Sequence, residues 1–408
     1  MITFPIARKG VFVGLLALLA LSATAQPGVF PPIDALANAY VKKPRQHALE
    51  VGILFNGKHY FMGYGQLSRT RREAPTASTL FEIGAVSGVF TGTLLSVLED
   101  KGSIRPDATI QRTLPAGFRG PVYVPLRYVA VTPPADSSNP RPEPVVTCLP
   151  DPIAGEQEIA LCQLAYHAAG LTCSCANLYR WHPMARPLLS PNMPGDVPDA
   201  TSFLQEAAHF ECTAPPGSQF VFSNIGMAYL GHLLAAHQGL SYESLLAREI
   251  TQPVGMPDTR VHLLPVQQSR LAPGHDKSGK PAPNWDFQGM APAAGIKSTA
   301  HDLLRFLSAQ LQAVPGISWN AALQARQGVI EARFPGWKYP TQAAYGWLVS
   351  TTHSNHPIAW MNGGTGGYRT FLALEPHRRI GIVLLANSSD DLTELGFQML
   401  DILFERSE

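Results

Sequence analysis

The chain has 408 residues, of which 45% are hydrophobic and 15% are charged. The charged fraction lies below the roughly 25% of a typical soluble protein, and the apolar content excludes disorder over most of the chain. The 31 Lys and Arg residues are balanced by 30 Asp and Glu residues, so the bulk charge offers no field that would hold nucleic acid. The length suffices for two domains or one large domain.

The first 25 residues have the pattern of an export signal. Arg8 and Lys9 form a short basic region, residues 11–21 form an apolar run, and residues 23–25 form an Ala-x-Ala cleavage site. The apolar run is too short to span a bilayer, which needs about 20 residues, and this argues against the alternative of an uncleaved anchor. We expect a mature chain from Gln26 onward, without a membrane span, in the periplasm or outside the cell.

Hydrophobic periodicity predicts the elements that follow. A short helix over residues 33–41 precedes two strands, 48–55 and 59–66, joined by Asn56-Gly57, the strongest hairpin signal in the chain. A helix over residues 85–101 comes next and is closed by Gly102. Further helices are predicted at 158–169, 227–238, 242–250, 300–312 and 392–404, and further strands at 345–351, 368–374 and 380–386.

These elements predict an α/β fold of the α+β type, with an antiparallel five-stranded sheet that both chain ends form and helices flank. The α/β part would comprise about residues 26–84 and 290–408, with a helical part of about 85–289 inserted into it. A Pro- and Cys-rich insertion over about 113–212 would belong to the helical part, because its first half shows little periodicity.

All five cysteines fall in one window of the chain: Cys148, Cys162, Cys173, Cys175 and Cys212. In an oxidising compartment, four of the five would form two disulfides, and the neighbours Cys173 and Cys175 would bond to different partners. The alternative is a metal site made from these thiols with His167 or His182. The disulfide framework is the default outside the cytosol, so we expect no metal.

Six stretches, in chain order, carry a resemblance to a known family. The first begins with Phe-Glu-Ile-Gly, the second ends in His-x-x-Gly-Leu, and the last contains Asn-Gly-Gly-Thr. They are Phe81–Gly92, Leu161–Leu171, Pro216–Asn224, Pro253–Arg260, Ala291–Leu303 and Asn362–Tyr368. Together they resemble the serine β-lactamases of class C type and the related carboxypeptidases and esterases of the penicillin-binding protein superfamily, over about residues 34–405.

The resemblance implies a Ser nucleophile three residues before a Lys base, on one face of a helix. A Tyr in the second motif relays protons, a Lys or His in the third motif assists, and two backbone N–H groups form the oxyanion hole. The matching positions here are Ala85 for the nucleophile, Gly88 for the lysine, Phe222 for the tyrosine and Met361 for the Lys or His. We therefore expect no catalytic residue among them.

The sequence keeps the motif residues that, by this resemblance, would shape the pocket. Asn224 of the second motif is kept, and the backbone N–H groups of Ala85 and Gly364 would be the oxyanion donors. The expected ligand pocket consists of Ala85, Ser87, Phe222, Ser223, Asn224, Gly363, Gly364 and Thr365.

Two serines are alternative nucleophiles, but neither has a basic residue near it in the sequence. Ser87 lies roughly 200° around an ideal helix from position 85, and the residue three further on is Phe90. Ser223 also lacks a basic neighbour in sequence. We expect both to be structural, as packed or capping serines.

Other conspicuous residues have structural interpretations. Arg69, Arg71 and Arg72 form a short basic run that predicts a solvated turn. His167 is expected to be a structural histidine at a helix end rather than a ligand. Three tryptophans are expected in the core or in a pocket wall rather than in a sugar-binding platform: Trp285, Trp347 and Trp360.

Two functional hypotheses follow. The first is an exported pseudoenzyme that binds a cell-wall peptide-like small molecule or a periplasmic protein, without a cofactor. The second is a serine-hydrolase-type enzyme (a β-lactamase, an esterase or a D-amino-acid peptidase) with an unrecognised nucleophile. Oxyanion-hole and binding contributions alone can leave roughly 10³-fold catalysis over water, which keeps the second hypothesis open.

Overall fold

The computed structural model of the chain describes residues 28–131, 145–151, 153–171, 199–312, 315–352 and 357–407. The predicted leader and the residues Cys173, Cys175 and His182 lie outside these ranges. Within these ranges, none of the helices combines the length and the apolar character that a membrane crossing requires.

The α-helices of the described residues are distributed along the whole chain. They are Pro31–Val41, Ser87–Asp100, Ile110–Thr113, Leu161–Ala165, Ala200–Glu206, Asn224–His237, Tyr242–Leu246, Gln252–Val254, Pro265–Gln268, Ala291–Ala294, Ala300–Gln310, Trp319–Arg326 and Thr393–Ser407. Short 3₁₀ turns cover Gly84–Val86, Ala207–His209 and Gln288–Met290, and a π-helical turn covers Ala247–Thr251.

The strands are labelled in chain order. They are β1 (Ala48–Phe55), β2 (Lys58–Gly65), β3 (Phe81–Glu82), β4 (Val122–Tyr123), β5 (Leu126–Val131), β6 (Val145–Pro150), β7 (Gln157–Glu158), β8 (Gly274–His275), β9 (Pro281–Ala282), β10 (Lys297–Ser298), β11 (Ile330–Glu331), β12 (Thr341–Ala343), β13 (Leu348–Thr351), β14 (Pro357–Gly364), β15 (Arg369–Glu375) and β16 (Ile380–Ala386).

The main sheet joins the two ends of the chain, as the sequence predicts. Its order is β11-β12-β13-β14-β15-β16-β1-β2, and each neighbouring pair is antiparallel. The N-terminal β1 pairs with the C-terminal β16, with Val51 opposite Leu384. In the described part of the chain this sheet has eight strands, so the prediction of five strands is wrong.

The additional strands escaped the periodicity analysis for a physical reason. β14 is buried at Ile358 to Met361 without alternation and ends in two glycines, so it lacks the period of two that identifies a half-exposed strand. β11 and β12 have two and three residues, too few for a period to show. The hairpin prediction is confirmed, because Asn56 and Gly57 both have positive φ between the paired Phe55 and Lys58.

Helices cover both faces of the sheet. Helix Ala300–Gln310 packs on one face, where a Cβ atom on Gly52 of β1 would stand 3.2 Å from the Cγ atom of Leu304. The two terminal helices, Pro31–Val41 and Thr393–Ser407, pack on each other and on strands of the sheet. The sheet is therefore a rigid, buried support for the strand ends described below.

The predicted helix over 158–169 is shorter in the structure, where it covers Leu161–Ala165. His167 and Gly170 have positive φ, and their carbonyl oxygens accept hydrogen bonds from Val221 and Thr213. The backbone thus pairs with the 213–221 loop instead of continuing the helix, a long-range effect that periodicity does not report.

The described thiols differ from the disulfide prediction. Cys162 and Cys212 carry free thiols, and Cys148 lies on β6. Two disulfides need four cysteines, and only three of the five remain. The prediction of two disulfides is therefore not met in this structure. Among the described residues, no cluster of His, Cys, Asp and Glu could hold a metal ion.

Candidate functional site

The candidate site lies where the start of helix Ser87–Asp100 meets the end of β14. Gly84 has a φ of +53°, and a Cβ atom on it would stand 2.5 Å from the backbone nitrogen of Gly364. A Cβ atom on Gly363 would overlap the carbonyl oxygen of Ile83 and stand 3.0 Å from the nitrogen of Ala85. Glycine is required at both positions because the two backbones are in direct contact. The first and third motifs are thus brought together, as the resemblance implies.

Ala85 and Gly88 lie one turn apart at this helix start. Ala85 is partly exposed and offers a methyl group where the resemblance implies the nucleophile. Gly88 is buried, and a Cβ atom on it would stand 3.2 Å from Cγ and 3.8 Å from Sδ of Met227. Met227, which is 1% exposed, therefore fills the space where the stem of a lysine would begin.

Ser87 faces the protein interior. It is completely buried, and its Oγ atom accepts a hydrogen bond of 3.1 Å from the backbone N–H of Ile296. The hydroxyl thus holds the segment before β10 against the helix. The prediction of a packed structural serine is confirmed, and Ser87 does not belong to the open part of the expected pocket.

The second motif is organised by a helix cap. Ser223 precedes helix Asn224–His237, and its Oγ atom accepts a hydrogen bond of 3.0 Å from the N–H of Gly226. Ser223 is 2% exposed, so it caps the helix as predicted and does not present its hydroxyl to solvent. Phe222 and Asn224 on either side of it are partly buried.

His167 holds this motif in place. Its Nδ1 atom accepts a hydrogen bond of 3.1 Å from the N–H of Ser223, and its ring lies 4.6 Å from the ring of Phe222. Burial lowers the pKa of His167 to about 4, so the imidazole is neutral at pH 7. The prediction of a structural histidine is confirmed.

The third motif places an apolar side chain where the resemblance implies a cation. Met361 is 4% exposed and lies on the same face of β14 as Gly363, two residues further on. Asn362 lies on the opposite face, where its Nδ2 atom donates a hydrogen bond of 2.8 Å to Thr393. The face of β14 toward the first motif therefore carries no charge at position 361.

Glu82, the acid of the Phe-Glu-Ile-Gly sequence in the first motif, lies at the base of the site. It is 1% exposed, and its Oε1 atom accepts hydrogen bonds from the Nδ2 atom of Asn284 at 2.9 Å and the N–H of Trp285 at 3.0 Å. Burial raises the pKa of Glu82. It pairs in register with Lys297 of β10, whose pKa burial lowers. The sequence does not distinguish a buried acid from an exposed one. Only the fold shows that Glu82 is a buried acceptor of hydrogen bonds.

The three tryptophans divide between the core and a cavity wall. Trp347 and Trp360 are 1% and 4% exposed and belong to the core, as predicted. Trp285 is half-buried and lines a cavity of about 490 Å³ together with Phe287 and Lys297. This cavity lies beside the hydrogen bonds that hold Glu82, so the wall interpretation applies to Trp285.

Thr365 closes the list of expected pocket residues. It is 5% exposed, and its side chain lies beside the carboxylate of Glu82. Gly364 before it is exposed. The structure thus brings Ala85, Gly363 and Gly364 together at the junction of helix and strand, whereas the hydroxyls of Ser87 and Ser223 are buried.

Comparison with known proteins gives one consistent result. A family model described as Beta-lactamase matches residues 33–399. A β-lactamase of Pseudomonas fluorescens is 24% identical over 383 residues, which are 88% of this chain and 93% of the relative.

Solved structures share the fold. A class C β-lactamase from Rhodobacter sphaeroides matches with a TM-score of 0.67 at 21% identity, over 92% of this chain and 98% of that chain. An octameric penicillin-binding protein homologue from Pyrococcus abyssi matches with a TM-score of 0.69 at 18% identity, over 88% and 73% of the two chains. The α/β fold that the motifs imply is therefore confirmed.

Proposed function

Because the chain belongs to the β-lactamase family, whose model matches residues 33–399, we propose that it is a non-catalytic member of that family. It keeps the cleft between helix and strand for binding and does not carry out the serine chemistry of its relatives. The mature protein acts in the periplasm or outside the cell, an inference that rests on the leader-like residues 1–25.

The observation that carries this proposal is Ala85 at the start of helix Ser87–Asp100. Covalent catalysis needs an oxygen or sulfur that can attack a carbonyl carbon, and a methyl group has neither. The serines of the first and second motifs are engaged elsewhere, since Ser87 binds the backbone of Ile296 and Ser223 caps a helix. Loss of such a group alone costs several orders of magnitude in rate in hydrolases where it has been measured.

The surroundings of Ala85 support the same conclusion. The lysine position, Gly88, is packed against Met227, and Phe222 and Met361 are apolar at the two other catalytic positions. Three independent polar groups are thus replaced by groups that neither donate nor accept a proton. A polar cluster without its partners would be costly to bury, so these replacements belong together.

The ligand that this cleft accepts is a peptide-like small molecule of the cell wall, with a neutral or apolar group near Phe222 and Met361. Asn224 and the backbone N–H of Gly364 supply directional hydrogen bonds, as the few polar groups of an apolar pocket usually do. The second candidate ligand is a periplasmic protein that presents such a peptide.

A labelling experiment tests the proposal. The purified protein is incubated with a fluorescent penicillin and examined by intact-mass spectrometry, and cell-wall peptides and apolar esters are titrated by calorimetry. We expect no covalent adduct and measurable binding of a peptide-like ligand that Phe222→Tyr or Met361→His weakens. A stable adduct would overturn the proposal, and the modified peptide would identify the nucleophile of a hydrolase.

A further inference from the structure

Three turns that are far apart in sequence meet at one corner of the molecule. They cover residues 42–46 after the first helix, 68–72 after β2, and 276–280 between β8 and β9. Seven exposed Lys and Arg residues lie on them, and we call these the basic cluster: Lys42, Lys43, Arg45, Arg69, Arg72, Lys277 and Lys280.

His47 joins the three turns. Its carbonyl oxygen accepts a hydrogen bond of 3.0 Å from the N–H of Gln66, next to the second turn. Its Nε2 atom lies 3.2 Å from the carbonyl oxygen of Gly279, and its ring stacks on that of His275 at 3.6 Å. A groove of about 330 Å³ between the first two turns is lined by His47 and Arg69 among others. The cations of the basic cluster are therefore neighbours in space.

The basic cluster concentrates charge that the rest of the chain lacks. No member of it forms an ion pair with any residue in the described ranges. Of the acids beside it, Glu73 is paired with Arg71, and Asp276 accepts hydrogen bonds within its own turn. With Arg71, Glu73 and Asp276 included, the three turns have a formal charge of +6, against +1 for the whole chain, and the acids Asp390 and Asp391 lie on the neighbouring loop beside Tyr40.

The corner lies at the same end of the sheet as the candidate site. Gly364, Arg369, Ala386 and Leu49 are paired in one row across β14, β15, β16 and β1, a distance of about 14 Å at the usual strand spacing. The N–H of His275 donates a hydrogen bond of 3.2 Å to the carbonyl oxygen of Gly367, within the third motif. A surface bound to the basic cluster would therefore lie next to the cleft.

We propose that the basic cluster is a docking surface for an anionic phospholipid membrane. Its cations are exposed, unpaired and spread over three turns, which suits the diffuse negative charge of lipid headgroups. The three turns contain no aromatic residue that could stack on a nucleic-acid base, and no large apolar residue that could form the core of a protein interface. The cleft would then face ligands close to the membrane. This inference does not depend on whether the cleft is catalytic.

Vesicle co-sedimentation tests the proposal. The purified chain is mixed with phosphatidylcholine vesicles, with vesicles that contain about one third phosphatidylglycerol, and with duplex DNA. We expect binding to the phosphatidylglycerol vesicles alone, and a fall of at least about tenfold in the apparent affinity between low salt and about 0.5 M salt, because screening shortens the range of the attraction.

Charge reversal at matched positions identifies the surface. The variant Lys42→Glu/Arg69→Glu/Lys277→Glu changes three cluster residues, and Lys58→Glu/Arg112→Glu/Arg119→Glu changes three exposed basic residues elsewhere, with the same change in net charge. We expect the first variant to bind vesicles about tenfold more weakly or not at all, and the second to bind as the unchanged protein does. Unchanged thermal unfolding verifies that both are folded.

Several outcomes would overturn the proposal. They are equal loss of binding in both variants, equal binding to vesicles without phosphatidylglycerol, binding to DNA but not to vesicles, and no vesicle binding at low salt. Labelling by penicillin bears only on the cleft and leaves the result of the vesicle experiment unaffected.

Discussion

The Cγ atom of Met227 lies 3.2 Å from the point where a Cβ atom on Gly88 would stand. Met227 belongs to the helix of the second motif and Gly88 to the helix of the first, so the two motifs pack against each other through this contact. The resemblance implies that active relatives have a lysine at the position that corresponds to Gly88. Here, position 88 is glycine, and Met227 occupies the space in which such a side chain would begin.

The first prediction concerns restoration of catalysis. Ala85→Ser/Gly88→Lys should give a protein that penicillin hardly labels and that is about 1–3 kcal/mol less stable, because the lysine stem collides with Met227. Adding Met227→Ala should recover stability and raise the labelling rate at least tenfold over the double variant, measured by gel fluorescence and thermal unfolding. Ala85→Ser/Met227→Ala, which lacks the lysine, is the matched control and should stay unlabelled. Equal labelling of the double and triple variants would contradict this reasoning.

The second prediction compares two glycines of the site. Gly363→Ala should destabilise the protein by about 3 kcal/mol or more, because the new methyl group meets the carbonyl oxygen of Ile83, which belongs to the backbone and cannot move aside. Gly88→Ala should change stability by less than about 1 kcal/mol, since the gain in helix propensity offsets a small shift of Met227. Denaturant unfolding measures both, and a Gly363→Ala variant as stable as Gly88→Ala would refute the close backbone contact.

The third prediction concerns pH and Glu50 of β1. Glu50 is completely buried, neither carboxyl oxygen has a partner among the described residues, and burial raises the pKa of Glu50 to about 8. Because the folded pKa is above the unfolded one, the stability this group contributes is complete below about pH 4.5 and is lost as the pH rises through about 8.

The free energy of unfolding should therefore decrease by about 2–4 kcal/mol between pH 5 and pH 8 through this residue. Glu50→Gln should remove that dependence and be the more stable protein at pH 8. Glu405→Gln, at an exposed position, should leave the pH profile as it is. Urea unfolding at a series of pH values measures the effect, and parallel profiles for Glu50→Gln and the unchanged protein would exclude it.

Much of the fold was readable from local patterns. The hairpin at Asn56-Gly57, the strand Ile380–Ala386 and the helix that begins near Ala85 depend on residues close in sequence, whose backbone preferences and periodicity persist whatever surrounds them. The order of the motifs identified the family resemblance in the same way. The structural roles of Ser223 and His167 also followed from their neighbours in the chain.

Other features depend on contacts between distant segments. The short helix at Leu161–Ala165 follows from partners that lie 40 or more residues away, and β14 is buried without alternation. Neither feature leaves a period in the sequence. The basic cluster is an extreme case, because Arg69 and Arg72 alone predict an ordinary solvated turn. Charge acts through space, so seven cations from three turns became one surface only when the sheet brought residues 42, 69 and 277 to the same corner.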